Sequence, residues 1–222
     1  MVNILLEGYD IDAPWLYGAL KPYIKPSDSV AVIAYSFRPN RVKSAEDWDA
    51  LYSREKGMYY GGITGGFAAY GIPEEQVRFL DYFRDTRESA ARKVEEADIL
   101  YFLGGLPDRM LDRIEEFGLT EPLMRHRGVV MGYSAGAVIQ LAEYHLSPDE
   151  DYPEFAYYRG LPYLEGFYLE VHYEGTPVQK ESIRRVLAEK GKPVYAPALR
   201  TGALIAEDGA VRTVGDVRVF KE

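Results

Sequence analysis

Short apolar runs bounded by breakers alternate with helix-patterned stretches along this chain, and that alternation leaves few folds open to it. Residues 3–6, 30–35, 77–80, 99–103 and 129–132 read as buried strands, rich in Val, Ile, Leu and aromatic side chains. Runs apolar on both faces suit the interior of a parallel sheet covered on each side by helices. The stretches between them supply those helices. Residues 13–20 read as one, with Asp12 as N-cap and Pro14 in its first turn. Residues 86–97 open with Thr86 and Ser89 and then place Ala90, Ala91, Val94 and Ala97 on one face. Residues 107–117 form another, closed by Gly118.

The last third reads differently. A strand over 167–172 precedes a helix over 177–190 and a short strand over 194–197. Residues 203–206 and 211–214 then make a hairpin around Asp208-Gly209, and 217–220 can add an edge strand. The expected fold is α/β: a three-layer, doubly wound, mainly parallel sheet with helices on both faces and a C-terminal antiparallel hairpin. It is expected to be one domain over residues 1–222. The segment 36–70 fits no single pattern; it reads as an insert over the active site or as containing a helix around 45–53.

Composition narrows the chemistry. Apolar residues make up 47% of the 222, enough for a large core, and cysteine is absent, which removes disulfides, thiolate metal sites and a cysteine nucleophile. The net charge is -9 with acids and bases interspersed, so no basic face for nucleic acid is expected. The first residues lack a signal-peptide pattern and no apolar run approaches ~20 residues, so no membrane association is expected and the cytoplasm is the default location. Three scattered histidines and an acidic loop without calcium-loop spacing suggest no metal and no cofactor.

Met131-Gly132-Tyr133-Ser134-Ala135-Gly136-Ala137 carries the chemistry. A strand runs into it and a helix-like run, 135–144, follows, while the small residues permit a sharp strand–nucleophile–helix turn. Ser134 is therefore the candidate nucleophile, and it needs a base. Of the histidines, His126 sits in a charged turn and His145 beyond the elbow helix, whereas His172 ends a strand. Sites in open α/β sheets gather at such carboxyl ends, so His172 is the candidate base. Ala135 N–H and the Gly104-Gly105 pair, which follows the strand 99–103, are the candidate oxyanion donors. The orienting acid is open among Asp149, Glu150 and Asp151, with Asp149 preferred, and Glu170 and Glu174 flank His172.

Phe102-Leu103-Gly104-Gly105, Gly132-Tyr133-Ser134-Ala135-Gly136-Ala137 and Glu170-Val171-His172-Tyr173, in this order, resemble the motifs of peptidase family S51, the aspartyl dipeptidases (dipeptidase E) and cyanophycinases. The resemblance spans about residues 99–214. It implies a class I glutamine amidotransferase-like fold, Ser134 as nucleophile, His172 as base, and Gly105 with Ala135 as oxyanion donors. It also implies a small peptide or isopeptide substrate containing Asp. Gly104, Tyr133 and Arg109 are the expected substrate contacts, with Arg38 and Arg41 as other cations that can pair with a carboxylate. One departure stands out: Arg200 occupies the stretch where the aspartyl dipeptidases carry an acid. A non-catalytic, ligand-binding member is the alternative that departure suggests. An α/β-hydrolase esterase is disfavoured because no histidine follows His172. A homodimer is compatible with all of these readings.

Overall fold

In the computed structural model, which describes residues 1–221, the five apolar runs lie side by side as the parallel core of one sheet. In chain order the elements are β1 (Val2–Leu6), α1 (Pro14–Leu20), β2 (Val30–Ile33), α2 (Ala45–Tyr52), α3 (Tyr60–Ala68), a 3-10 turn (Glu74–Gln76) and β3 (Val77–Leu80). They continue with α4 (Arg87–Glu95), β4 (Ile99–Phe102), α5 (Pro107–Glu116), α6 (Thr120–Arg125), β5 (Val129–Tyr133) and α7 (Ala135–Val138). The remainder are β6 (Glu143–Leu146), β7 (Ala156–Arg159), β8 (Tyr168–Leu169), α8 (Pro177–Lys190), β9 (Val194–Glu207) and β10 (Ala210–Phe220).

Strand order is β10-β9-β1-β5-β4-β2-β3. The run β1-β5-β4-β2-β3 is parallel, β9 pairs antiparallel with β1, and β10 antiparallel with β9. The two-residue β8 pairs parallel with the start of β9. Alternate side chains leave each strand on opposite faces, and two core layers result. Ile4, Leu6, Val30, Val32, Ile99 and Tyr101 pack against α1, α2 and α3. Ala31, Ile33, Leu100, Phe102 and Val130 pack against α4, α5 and α6. The expected three-layer α/β fold with an antiparallel C-terminal edge is what the chain forms.

Local chemistry fixes several boundaries. Thr86 and Ser89 close a reciprocal capping box on α4, and Thr176 with Gln179 does the same on α8; each box satisfies two orphan N–H groups. Asp208 and Gly209 both adopt positive φ, 50° and 79°, as a two-residue hairpin turn requires.

Three expectations need correction. Asp12 does not cap α1; Ala13 occupies that position and offers no side-chain acceptor. The helix after Ser134 stops at Val138 instead of running to 144, and the chain turns back into the β6–β7 hairpin. Buried Gln140 marks the change: its Oε1 accepts from Asn3 Nδ2 (3.0 Å), and its Nε2 donates to Gly136 O (2.9 Å). A buried amide needs such partners, and meeting them ties this turn to β1. The strands expected at 194–197 and 203–206 are one long β9, passing through Arg200 at φ 63°. The helix expected around 45–53 forms as α2, and a second helix, α3, follows it in the 36–70 segment; both pack on the sheet.

Candidate active site

Register brings three candidate groups together. Leu6 lies opposite Tyr133, and Phe102 opposite Gly132, so Glu7, Ser134 and Gly104 emerge side by side at the carboxyl ends of β1, β5 and β4. This is the crevice in which open α/β sheets place their ligands. Ser134 sits at φ 52° and ψ -116°, outside the relaxed regions for a non-glycine residue. Holding such a conformation costs on the order of 1–3 kcal/mol. The cost is met by surroundings with no slack: Ser134 N–H donates to Leu6 O at 3.0 Å. A Cβ added to Gly136 would stand 2.0 Å from Phe102 O, so only glycine lets the turn approach β4 this closely.

His172 reaches the serine from the opposite side. It follows β8 at φ 54°, and its Nε2 lies 2.7 Å from Ser134 Oγ. Its backbone is gripped at both ends: the N–H donates to Glu7 Oε2 at 2.6 Å, and Gln179 Nε2 donates to the carbonyl at 2.9 Å. Gln179 Oε1 in turn accepts from Glu174 and Gly175 N–H, so the start of α8 holds the histidine loop.

The carboxylate on the far side of the imidazole is Glu7. Its Oε2 is 2.9 Å from His172 Nδ1, and its side chain is 1% exposed. The Nδ1–H is not aimed straight at this oxygen, and such contacts often tighten only with substrate bound. Burial pushes the Glu7 carboxyl above its ordinary value, against the bonds and charge of His172, which pull it down. For His172 burial acts downward, but the Glu7 hydrogen bond and charge prevail and its pKa is raised.

Asp149 is not that acid. Its Oδ1 accepts from the N–H groups of Asp151 and Tyr152 at 2.8 and 2.7 Å, so it caps its own loop. Asp151 is taken by Arg38 in a two-pronged pair, and Glu150 is exposed. Glu170 is turned to His145 and Ser147. Glu7 was nevertheless visible by the rule that singled out His172, since it directly follows the first apolar run.

The oxyanion candidates flank Ser134. Neither Gly105 N–H nor Ala135 N–H has an acceptor among the described residues, and Gly105 is exposed. Gly105 has φ 139°, and a Cβ there would stand 2.3 Å from Ser36 O. Ser36, fully buried, fastens this turn: its Oγ donates to Gly104 O at 2.5 Å, and its carbonyl accepts from Leu106 N–H at 2.8 Å. Arg113 in turn donates to the carbonyls of Tyr35 and Phe37, on either side of Ser36.

Tyr133 lies over Gly104 and meets Tyr9 edge-on at 5.9 Å, and Tyr9 meets Tyr59 at 6.3 Å. These rings link the 36–70 segment to the site. Burial raises the Tyr133 phenol to about 12. Arg109 is half exposed at the start of α5, and its guanidinium is engaged by Asp112 at 3.2 Å and Asp108 at 3.7 Å of the same helix. Among the described residues no cluster of His, Cys, Asp and Glu could hold a metal, and no helix is long and apolar enough to cross a membrane.

A family model described as peptidase family S51 matches residues 50–214. No curated protein matches the sequence. Among solved structures, a provisionally assigned peptidase E protein from Listeria monocytogenes EGD-e is 18% identical with a TM-score of 0.65, covering 97% of this chain and 98% of its own. A peptidase from an acI-B1 actinobacterium is 19% identical with a TM-score of 0.63, covering 99% and 90%. At such identities the likeness to these structures is one of fold.

Proposed function

Because the chain belongs to peptidase family S51, we propose that it is a serine peptidase in which Ser134 is the nucleophile, His172 the general base and Glu7 the acid that orients the base. The observation that carries this reading is the continuous line Ser134 Oγ–His172 Nε2 (2.7 Å) and His172 Nδ1–Glu7 Oε2 (2.9 Å), built on a strained serine. Ser134 Oγ attacks the scissile carbonyl carbon while His172 Nε2 takes its proton. The oxyanion that develops is met by the N–H groups of Gly105 and Ala135, which cost no reorganisation because nothing else occupies them. His172 passes the proton to the departing amine, and water, activated by the same nitrogen, releases the acyl group. Glu7 stabilises the imidazolium in between, consistent with the raised His172 pKa.

A small peptide, with Asp as the candidate acidic component, is the substrate class that accords with the family. The binding-only alternative loses its motive here, because the acid missing at Arg200 is supplied by Glu7 from the opposite end of the chain. Intact mass after incubation with a fluorophosphonate probe tests the reading. Stoichiometric labelling of the native protein and none of Ser134→Ala is expected; an unlabelled native protein, folded and at neutral pH, would overturn it.

A further inference from the structure

Two buried polar side chains converge on the Gly104-Gly105 turn and take no part in the triad. Ser36 is 0% exposed and Arg113 is 8% exposed. The Arg113 guanidinium is held by backbone and not by an acid: it donates to the carbonyls of Tyr35 and Phe37 and lies 3.6 Å over the Phe37 ring. Burying a cation without a carboxylate partner is costly, and here the desolvation lowers its pKa. What the arrangement achieves is a clamp on the chain on both sides of Ser36.

Ser36 in turn fixes one peptide plane. In a trans peptide the C=O and N–H point in opposite directions. Ser36 Oγ donates to Gly104 O, so the N–H of Gly105 is turned away from Ser36. Ser134 stands on that other side: a Cβ added to Gly104 would lie 3.3 Å from the Ser134 Cβ, whereas one added to Gly105 would strike Ser36. Nothing within the turn itself enforces this orientation. Rotating the plane changes only ψ of Gly104 and φ of Gly105, and glycine leaves both angles freer than any other residue. Once rotated, the plane turns the Gly104 carbonyl toward Ser134, and an acceptor replaces the donor where an oxyanion would form.

We propose that Ser36 is a positioning residue of the oxyanion site: its buried hydroxyl selects the peptide orientation in which Gly105 N–H faces Ser134, and Arg113 holds Ser36 in place to do so. The inference rests on the proposed peptidase reading for the use of that N–H, and not for its direction. It gives the buried cation of α5 a task in the reaction although it touches none of the reacting atoms.

Two measurements on the full-length protein separate direction from turnover. The residual dipolar coupling of Gly105 N–H, in weakly aligned protein carrying isotope-labelled glycine, reads the direction of that bond with no reaction. The native value is expected to fit the structure and the Ser36→Ala value to depart from it, while glycines outside the turn keep theirs. The second measurement is the rate of fluorophosphonate labelling of Ser134 against probe concentration. Ser36→Ala is expected to lower the limiting rate by about tenfold if the plane rotates part of the time, and by about 10²- to 10³-fold if the donor is lost. The half-saturating probe concentration should stay within about twofold, because the interaction is made in the transition state. Ser36→Cys, with a weaker donor of similar size, should fall between the two. An unchanged Gly105 coupling in Ser36→Ala would overturn the proposal, and so would a limiting rate equal to that of a labelled native protein. A native protein whose coupling fits the structure and moves in Ser36→Ala, but which takes no fluorophosphonate, would sink the peptidase reading alone.

Discussion

The molecule contains two clusters made of the same three residue types, and they are wired in opposite order. In the first, His172 stands between Ser134 and Glu7, with one ring nitrogen for each. In the second, Glu170 stands between Ser147 and His145: Ser147 Oγ lies 2.8 Å from both carboxylate oxygens, and His145 Nε2 lies 2.7 Å from Oε2. The difference decides what each serine can become. Ser134 faces an imidazole nitrogen able to accept its proton, whereas Ser147 donates to a carboxylate and has no imidazole beside it. Exposure follows the same division. The His172 side chain is 43% exposed, while those of His145 and Glu170 are 0% and 4% exposed. One cluster is open and strained; the other is closed and braces the strand that leads to His172.

Exchanging the carboxylate of each cluster separates the roles most sharply. Glu7→Gln is expected to lower kcat by about 10²- to 10⁴-fold, since the imidazole loses its orienting acid. Its pH profile should move too. His172 must be neutral to act as base, and Glu7 raises its pKa, so native activity falls with acid through a value above the usual imidazole range. Without Glu7 only the downward push of burial and the weaker, more distant acids remain, and the acid limb shifts to lower pH. Steady-state rates from pH 5 to 9 read both effects; an unmoved limb would refute the assignment of Glu7.

The corresponding change in the closed cluster acts on stability. Glu170→Ala is expected to cost about 3 kcal/mol, because it leaves His145 buried without its partner. Urea unfolding measures the cost, and a loss below about 1 kcal/mol would show that the pair is not structural. The acid limb should shift less than in Glu7→Gln, since Glu7 still contacts the ring. Ser147→Ala is the mildest test, expected to lose about 1.5 kcal/mol, the low end for one hydrogen bond to a charged group. It should leave fluorophosphonate labelling intact, and a label mapped to Ser147 would erase the distinction between the two clusters.

What the sequence disclosed, and what it hid, follows from the range of each interaction. The strand–turn–helix at Ser134 was legible because its demands are local: glycine and alanine are needed within three residues of the serine. His172 was legible from its place after an apolar strand. Glu7 met the same criterion but lies 165 residues from its imidazole partner in the chain. Only the pairing of β1 with β5 brings it beside Ser134, and no local pattern encodes that neighbour. Asp149 attracted the assignment by lying between serine and histidine in sequence, yet its carboxylate is spent on its own turn. The length of the helix after Ser134 was hidden for a like reason: Gln140 continues a helical pattern locally, but its amide is claimed by Asn3 on β1.

The place of β9 has a consequence for the order of events during synthesis. This strand, Val194–Glu207, pairs with β1, which leads directly into Glu7, and with β8, which carries the chain to His172. A growing polypeptide that has left the ribosome only as far as its serine therefore holds Ser134 without His172 beside it. Even after residue 172 emerges, the framework that seats the base beside the acid is still unmade. On the proposed reading, hydrolytic competence therefore arrives with one of the last strands to be made, β9.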